Sequence, residues 1–230
     1  FNEQGGGNAT QGPTTTIFQT GGVYEFDVAN FYGQLETSRV YGCNGAHRAW
    51  EFDGEYVIPL DFGLPSIAST TNLLKVSHIR AHQSHLFGSV GSSLIHSGPG
   101  TPHNCSAGAG GGEHAASDII TGLQILPGTQ ATGALAVMQR NHTKILYGSA
   151  LAGPEPFDLV SFQAETGALP FTIQTLDRVY HLDDRGVIDL KTAQDYGNFT
   201  TATLTRYIQK FIEQKHTRAV YSTINRTKGQ

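Results

Sequence analysis

The chain has 230 residues, a formal net charge of -4 and only 15% charged residues, against about 25% in an average soluble domain. With 38% hydrophobic residues and 28 glycines, it excludes intrinsic disorder and a coiled coil, and it has no basic field with which to bind nucleic acid. No apolar run approaches the roughly 18 to 20 residues that cross a bilayer, so no membrane span is expected.

Residues 1 to 20 read as an extended N-terminal arm. Residues 1 to 13 are dominated by Gly, Gln and Asn, which bury little apolar surface against their ordering entropy. Within the arm, Thr14-Thr15-Thr16-Ile17-Phe18 forms a β-branched run able to add as a strand to a sheet edge. Residues 21 to 230 read as one mainly β body. Val23 to Val28 alternates, and Asp53-Gly54 between aromatic segments at 48 to 52 and 55 to 58 marks a tight hairpin.

Residues 62 to 116 exchange the β-branched rhythm for Gly, Ser and His, and read as a loop-rich region with a long surface loop near 97 to 112. In this region Gly88-Ser89-Val90-Gly91 has the wrong spacing for a nucleophile elbow and reads as a flexible Gly/Ser loop. Strand-like segments resume at 119–126, 134–139, 144–147, 157–163, 171–182 and 187–190. Breaker clusters such as Pro127-Gly128 and Asp183-Asp184-Arg185-Gly186 separate them. Short strands at regular spacing predict an all-β or mainly β single domain, a sandwich, jelly roll or barrel, with no internal repeat at a solenoid or propeller period. Leu204, Ile208, Phe211 and Ile212 recur with helical spacing and predict one amphipathic helix over about 201 to 216, its apolar stripe lying on the β body.

Asn-x-Ser/Thr occurs at Asn8, Asn104, Asn141, Asn198 and Asn225, five of the nine asparagines. The set points to N-linked glycans and a secreted, extracellular, cell-surface or virion-surface protein. The start at Phe1 rather than Met fits a mature, processed ectodomain. In that compartment the two cysteines, Cys43 and Cys105, are expected to form one disulfide, worth on the order of 4 kcal/mol for a loop of about 60 residues.

Six of the ten histidines lie between positions 78 and 114. His78, His82 and His85 have spacing that brings two imidazoles to one helical face, as in a zinc or copper site. As a strand, the same segment puts His78 and His82 on one face and His85 on the other. No His-Glu-x-x-His, P-loop or dinucleotide fingerprint is present. The carboxylates Glu51, Asp53, Glu55, Asp183 and Asp184 read as hairpin and turn residues rather than a glycosidase pair.

Three functional expectations follow. First comes a structural subunit that self-assembles head-to-tail through its arm into a filament or lattice. Second is a binding module, a lectin or attachment domain, that meets carbohydrate or a surface receptor through its loops. Aromatics such as Trp50, Tyr56 and Tyr180 are available to stack on sugars. The third, an enzyme using a metal held by histidines of 78 to 114, ranks last.

Overall fold

The computed structural model describes residues 2–3, 21–33, 37–60, 62, 75–126, 134–148, 157–163, 166–176, 178–192, 199–215, 218–219 and 221–223. Among these residues the secondary structure is mainly β: seventeen strands in four sheets, with one short helix near the C-terminus. The chain divides into two compact units, Phe1–Ser117 with Ala150–Pro156 and Asp118–Ser149 with Phe157–Gln230. The sequence reading drew one body over 21 to 230, because each unit alone presents the same short-strand rhythm.

In the first unit, sheet 1 is a meander of β2 (Glu25–Ala29), β3 (Arg39–Cys43), β4 (Trp50–Phe52) and β5 (Tyr56–Pro59), all antiparallel. The two-residue β1 (Asn2–Glu3) lies parallel to β5 at the far edge. The predicted hairpin is present: Asp53 Oδ1 accepts the amides of Glu55 (2.8 Å) and Tyr56 (2.7 Å), and Gly54 takes a left-handed φ of 105°.

Sheet 2 is built from the region expected to be loop-rich: β6 (His78–His82), β7 (His85–Val90), β8 (Ser93–His96) and β9 (Gly112–Ala115). Its glycines mislead composition-based reading. Gly88 lies within β7, and a β-carbon there would stand 2.8 Å from the Phe62 ring, so packing rather than flexibility requires glycine. Gln83 and Ser84, with φ of 46° and 63°, make the two-residue turn between β6 and β7. The expected long loop does occur, between β8 and β9, and includes a 3-10 turn at Ala107–Ala109. Tyr41, Cys43, Ile79, Leu86, Ile95 and Cys105 share one buried core that joins the inner faces of sheets 1 and 2. Each fully buried Leu or Ile stabilises the fold by roughly 1.5–3 kcal/mol.

In the second unit, sheet 3 is β10 (Ile120–Ile125), β11 (Leu135–Gln139), β12 (Thr143–Gly148) and β13 (Phe157–Gln163). Sheet 4 is β14 (Gln174–Thr175), β15 (Val179–Asp183), β16 (Gly186–Thr192) and β17 (Phe199–Thr203). Ala136, Met138 and Ile145 meet Val179 and Leu190 in its core. Apart from β1, which lies beside β5, strand neighbours follow chain order within each sheet, and among the described residues no sheet closes on itself, so the sandwich alternative holds over the barrel.

The C-terminal helix is shorter than its periodicity predicts. Residues 201 to 203 continue β17, paired to β16, and a 3-10 turn (Arg206–Ile208) leads into α1 (Gln209–Lys215). The β-branched Thr200-Thr201 and the ladder offered by β16 outweigh the helical spacing there. Leu204, Ile208 and Phe211 remain 53%, 53% and 60% exposed rather than covering the β body.

Candidate functional site

Strand β2 reverses the usual alternation of an edge strand. Glu25 and Asp27 point inward while Phe26 and Val28 point out, 52% and 65% exposed, with Tyr24 continuing their row at 41%. The inward carboxylates hold β2 to β6. His78 Nδ1 lies 2.8 Å from Glu25 Oε2, Arg80 reaches Glu25 (3.8 Å) and Asp27 (3.5 Å), and the Ala81 amide donates to Asp27 Oδ2 at 2.7 Å.

The outward row is ordered by its own packing. Tyr24 and Phe26 are parallel within 4° at 5.7 Å, Phe26 meets Trp50 edge-on at 5.8 Å, and Tyr24 OH lies 2.9 Å from His47 Nε2. Pairing across β2, β3 and β4 sets Phe26 beside Gly42 and Gly42 beside Trp50.

A second cluster, on the opposite face, centres on buried Glu51 of β4. Tyr32 OH lies 3.1 and 3.3 Å from its two carboxylate oxygens, and Arg39 Nε pairs with it at 3.5 Å. His103 Nε2, from the β8–β9 loop, is 2.8 Å from Tyr32 OH and 3.3 Å from Glu51 Oε2. A phenol has one proton; with that proton given to Glu51, the imidazole must donate. Burial, then the charge of Glu51, pushes Tyr32 up to about 12, and the same two causes push Tyr41 up as well, so both phenols stay protonated. Glu51, Tyr32 and His103 thus tie the β8–β9 loop and the β2–β3 connection to sheet 1.

The histidines of sheet 2 are brought together, but not as a metal centre. His82 and His85 pair across the hairpin, which returns His85 to the face of His82; the expected split came from extending β6 through position 85. From there a ring cluster runs through Phe87 and His96 to His114, with His85–His96 and His96–His114 centroids at 5.3 and 5.4 Å. The Ser97 carbonyl accepts from Nδ1 of both His85 (2.6 Å) and His96 (3.1 Å). Among the described residues no group of three or more His, Cys, Asp or Glu side chains is placed to hold a metal ion, His78, His82 and His85 included. His78 instead pairs with Glu25.

Cys43 and Cys105, expected to form a disulfide, are not bridged in this structure; both are buried in the first unit's core, where each packs as a small apolar group. Of the sequon asparagines, Asn104 is exposed in the β8–β9 loop, its Oδ1 accepting the Ser106 amide at 3.0 Å. Asn141 donates to Asp118 at 2.8 Å, and its sequon partner Thr143 is buried. Asn8, Asn198 and Asn225 lie outside the described residues, as do Thr14, Thr15, Thr16, Ile17 and Phe18. Asp184 pairs with Arg140 at 2.8 and 3.0 Å and Asp183 with Arg185 at 3.6 Å, so these turn carboxylates face cations rather than one another.

Sequence reasoning missed the Glu51 cluster, since Tyr32, Glu51 and His103 are far apart in the chain. It also missed the reversed face of β2, although Glu-Phe-Asp-Val shows the alternation and leaves only its direction open. No protein-family model matches the chain, and no curated protein matches it in sequence. What the fold and its clusters define is a two-unit β protein with a reversed apolar strand.

Proposed function

We propose that the chain is an extracellular, N-glycosylated structural subunit that joins copies of itself through its N-terminal arm. The observation that carries this reading is the addition of β1 to sheet 1 as a parallel strand beside Tyr56 and Val57 of β5. A strand that pairs with its own sheet edge can pair with the same edge of a neighbour, and the exchange preserves every ladder bond. The 21 residues between β1 and β2, at up to about 3.3 Å each, are long enough to reach another subunit. Exchange costs mainly linker entropy, so concentration drives it.

Negative-stain microscopy and light scattering of the full chain, beside a variant lacking residues 1 to 20 whose folding is checked by circular dichroism, test this reading. Filaments or sheets from the full chain and a folded monomer from the shortened one are expected. Polymers from the shortened chain would rule out the arm, and monomers from the full chain would rule out the subunit role.

A further inference from the structure

Exposed apolar side chains scattered singly need no explanation; a contiguous row on a strand whose register is locked does. In β2 four polar contacts, from His78, twice from Arg80 and from the Ala81 amide, fix Glu25 and Asp27 inward. A slip by one residue would reverse the faces and bury Phe26 and Val28, but it would strand two carboxylates in solvent-facing positions away from Arg80. The outward placement of Tyr24, Phe26 and Val28 is therefore specified by the fold. The rings of Tyr24 and Phe26 are held in place by stacking and by the Tyr24–His47 hydrogen bond, so little freedom of these two side chains is left to lose on binding.

A second uncovered apolar stripe lies in the other unit. Leu204, Ile208 and Phe211 are more than half exposed and Tyr207 is wholly exposed. Leu204 lies in the turn after β17, Tyr207 and Ile208 in the 3-10 turn, and Phe211 in the first turn of α1, so the stripe runs across these short elements. The C-terminal stripe is bordered mainly by cations, and the Val28 end of the β2 row by carboxylates, while exposed Arg48 lies toward the Tyr24 end. Arg206, Lys210 and Lys215, with Glu213 the only acid among residues 204–215, flank the stripe, while Asp53 and Glu55 lie in the β4–β5 turn beyond Phe52, at the end of the sheet occupied by Val28.

We infer that the β2 row receives the C-terminal stripe, residues 204 to 211, of a second copy of this chain. The contact is heterologous, joining different surfaces of the two copies, so it propagates or closes into a ring. It rests on the self-assembly reading but uses a surface separate from the arm and its β5 edge.

Cross-linking tests the pairing directly. Full-length chains carrying Val28→Cys and Ile208→Cys are mixed and oxidised, with the native Cys43 and Cys105 as buried internal controls. A mixed 28–208 disulfide exceeding either homodimer is expected, and Phe26→Glu and Phe211→Glu should each weaken association at least about 30-fold. Predominant 28–28 cross-links, or none, would overturn the inference. Arm-dependent polymers without the 28–208 bond would sink this contact and leave the arm reading standing. A 28–208 bond in chains whose polymers survive arm deletion would do the reverse.

Discussion

The indole of Trp50 lies against Gly42 so closely that a β-carbon at residue 42 would stand 2.4 Å from Trp50 Cζ2 and 2.6 Å from Cε2. Gly42 sits mid-strand between Phe26 and Trp50, where its lack of a side chain allows the aromatic row to close over β3. Gly42→Ala is expected to destabilise the first unit by about 1–3 kcal/mol through overpacking. Trp50 is the only tryptophan, so its fluorescence during urea unfolding reports the change. Pairing Gly42→Ala with Trp50→Leu should recover part of the loss; equal stability of wild type and Gly42→Ala would show that the row can shift freely.

Each unit holds a buried neutral histidine. Burial lowers His181 of β15 to about 4, against the smaller opposing pull of the Asp189 charge. Burial likewise lowers His96 of β8 to about 4; the Ser97 carbonyl opposes this, while His114 and His85 add to it. A histidine depressed in the fold stays neutral there while the unfolded chain takes up a proton below about 6.5. The stabilisation is present above that value and is lost as pH falls from 6.5 through 4, on the order of 3 kcal/mol for His181. Urea midpoints should fall across this window, and His181→Phe should flatten the profile of the second unit. An unchanged slope would show that His181 is not responsible.

Glu51 holds the β8–β9 loop through Tyr32 and His103. Glu51→Gln removes the charge that pairs with Arg39 and weakens both donors, at an expected cost of about 1–3 kcal/mol. Faster limited proteolysis between residues 97 and 111 is the specific readout. Tyr32→Phe should show the same faster cleavage with a smaller loss of stability.

The thiols of Cys43 and Cys105 are expected to resist alkylation in the folded chain and to react fully in denaturant. Burial, followed by the charge of Glu25, pushes the Cys43 thiol up, which suppresses the reactive thiolate. Intact mass after alkylation, without reductant, should show two labels on the unfolded protein and none on the native one. A labelled fraction of zero after unfolding would establish a disulfide instead.

Expression through a secretory route is expected to place a glycan on Asn104, read as a mass shift on enzymatic deglycosylation. At Asn141 the side-chain amide is engaged by Asp118, so a glycan there removes that bond. Asn141→Gln is expected to lower stability by about 1 kcal/mol, whereas Asn104→Gln should change it little.

Composition and short-range pattern determined the β class, the Asp53-Gly54 hairpin, strands β10 to β13 and β16 and the long loop after β8, because alternation and turn chemistry act between near neighbours, whereas the single segment read over 171–182 divides into β14 and β15. They misjudged residues 78 to 96, where Gly88 is a packing requirement set by Phe62, distant in sequence, and residues 201 to 203, where the β16 ladder overrode helical spacing. The division into two units, the burial of both cysteines in one core, and the meeting of Tyr32, Glu51 and His103 depend on contacts made only when distant segments pack. Strand β2 shows both sides of this division. Its sequence encodes two chemically distinct faces, and only the ion pairs from β6 decide that the carboxylates turn inward and leave Phe26 and Val28 at the surface.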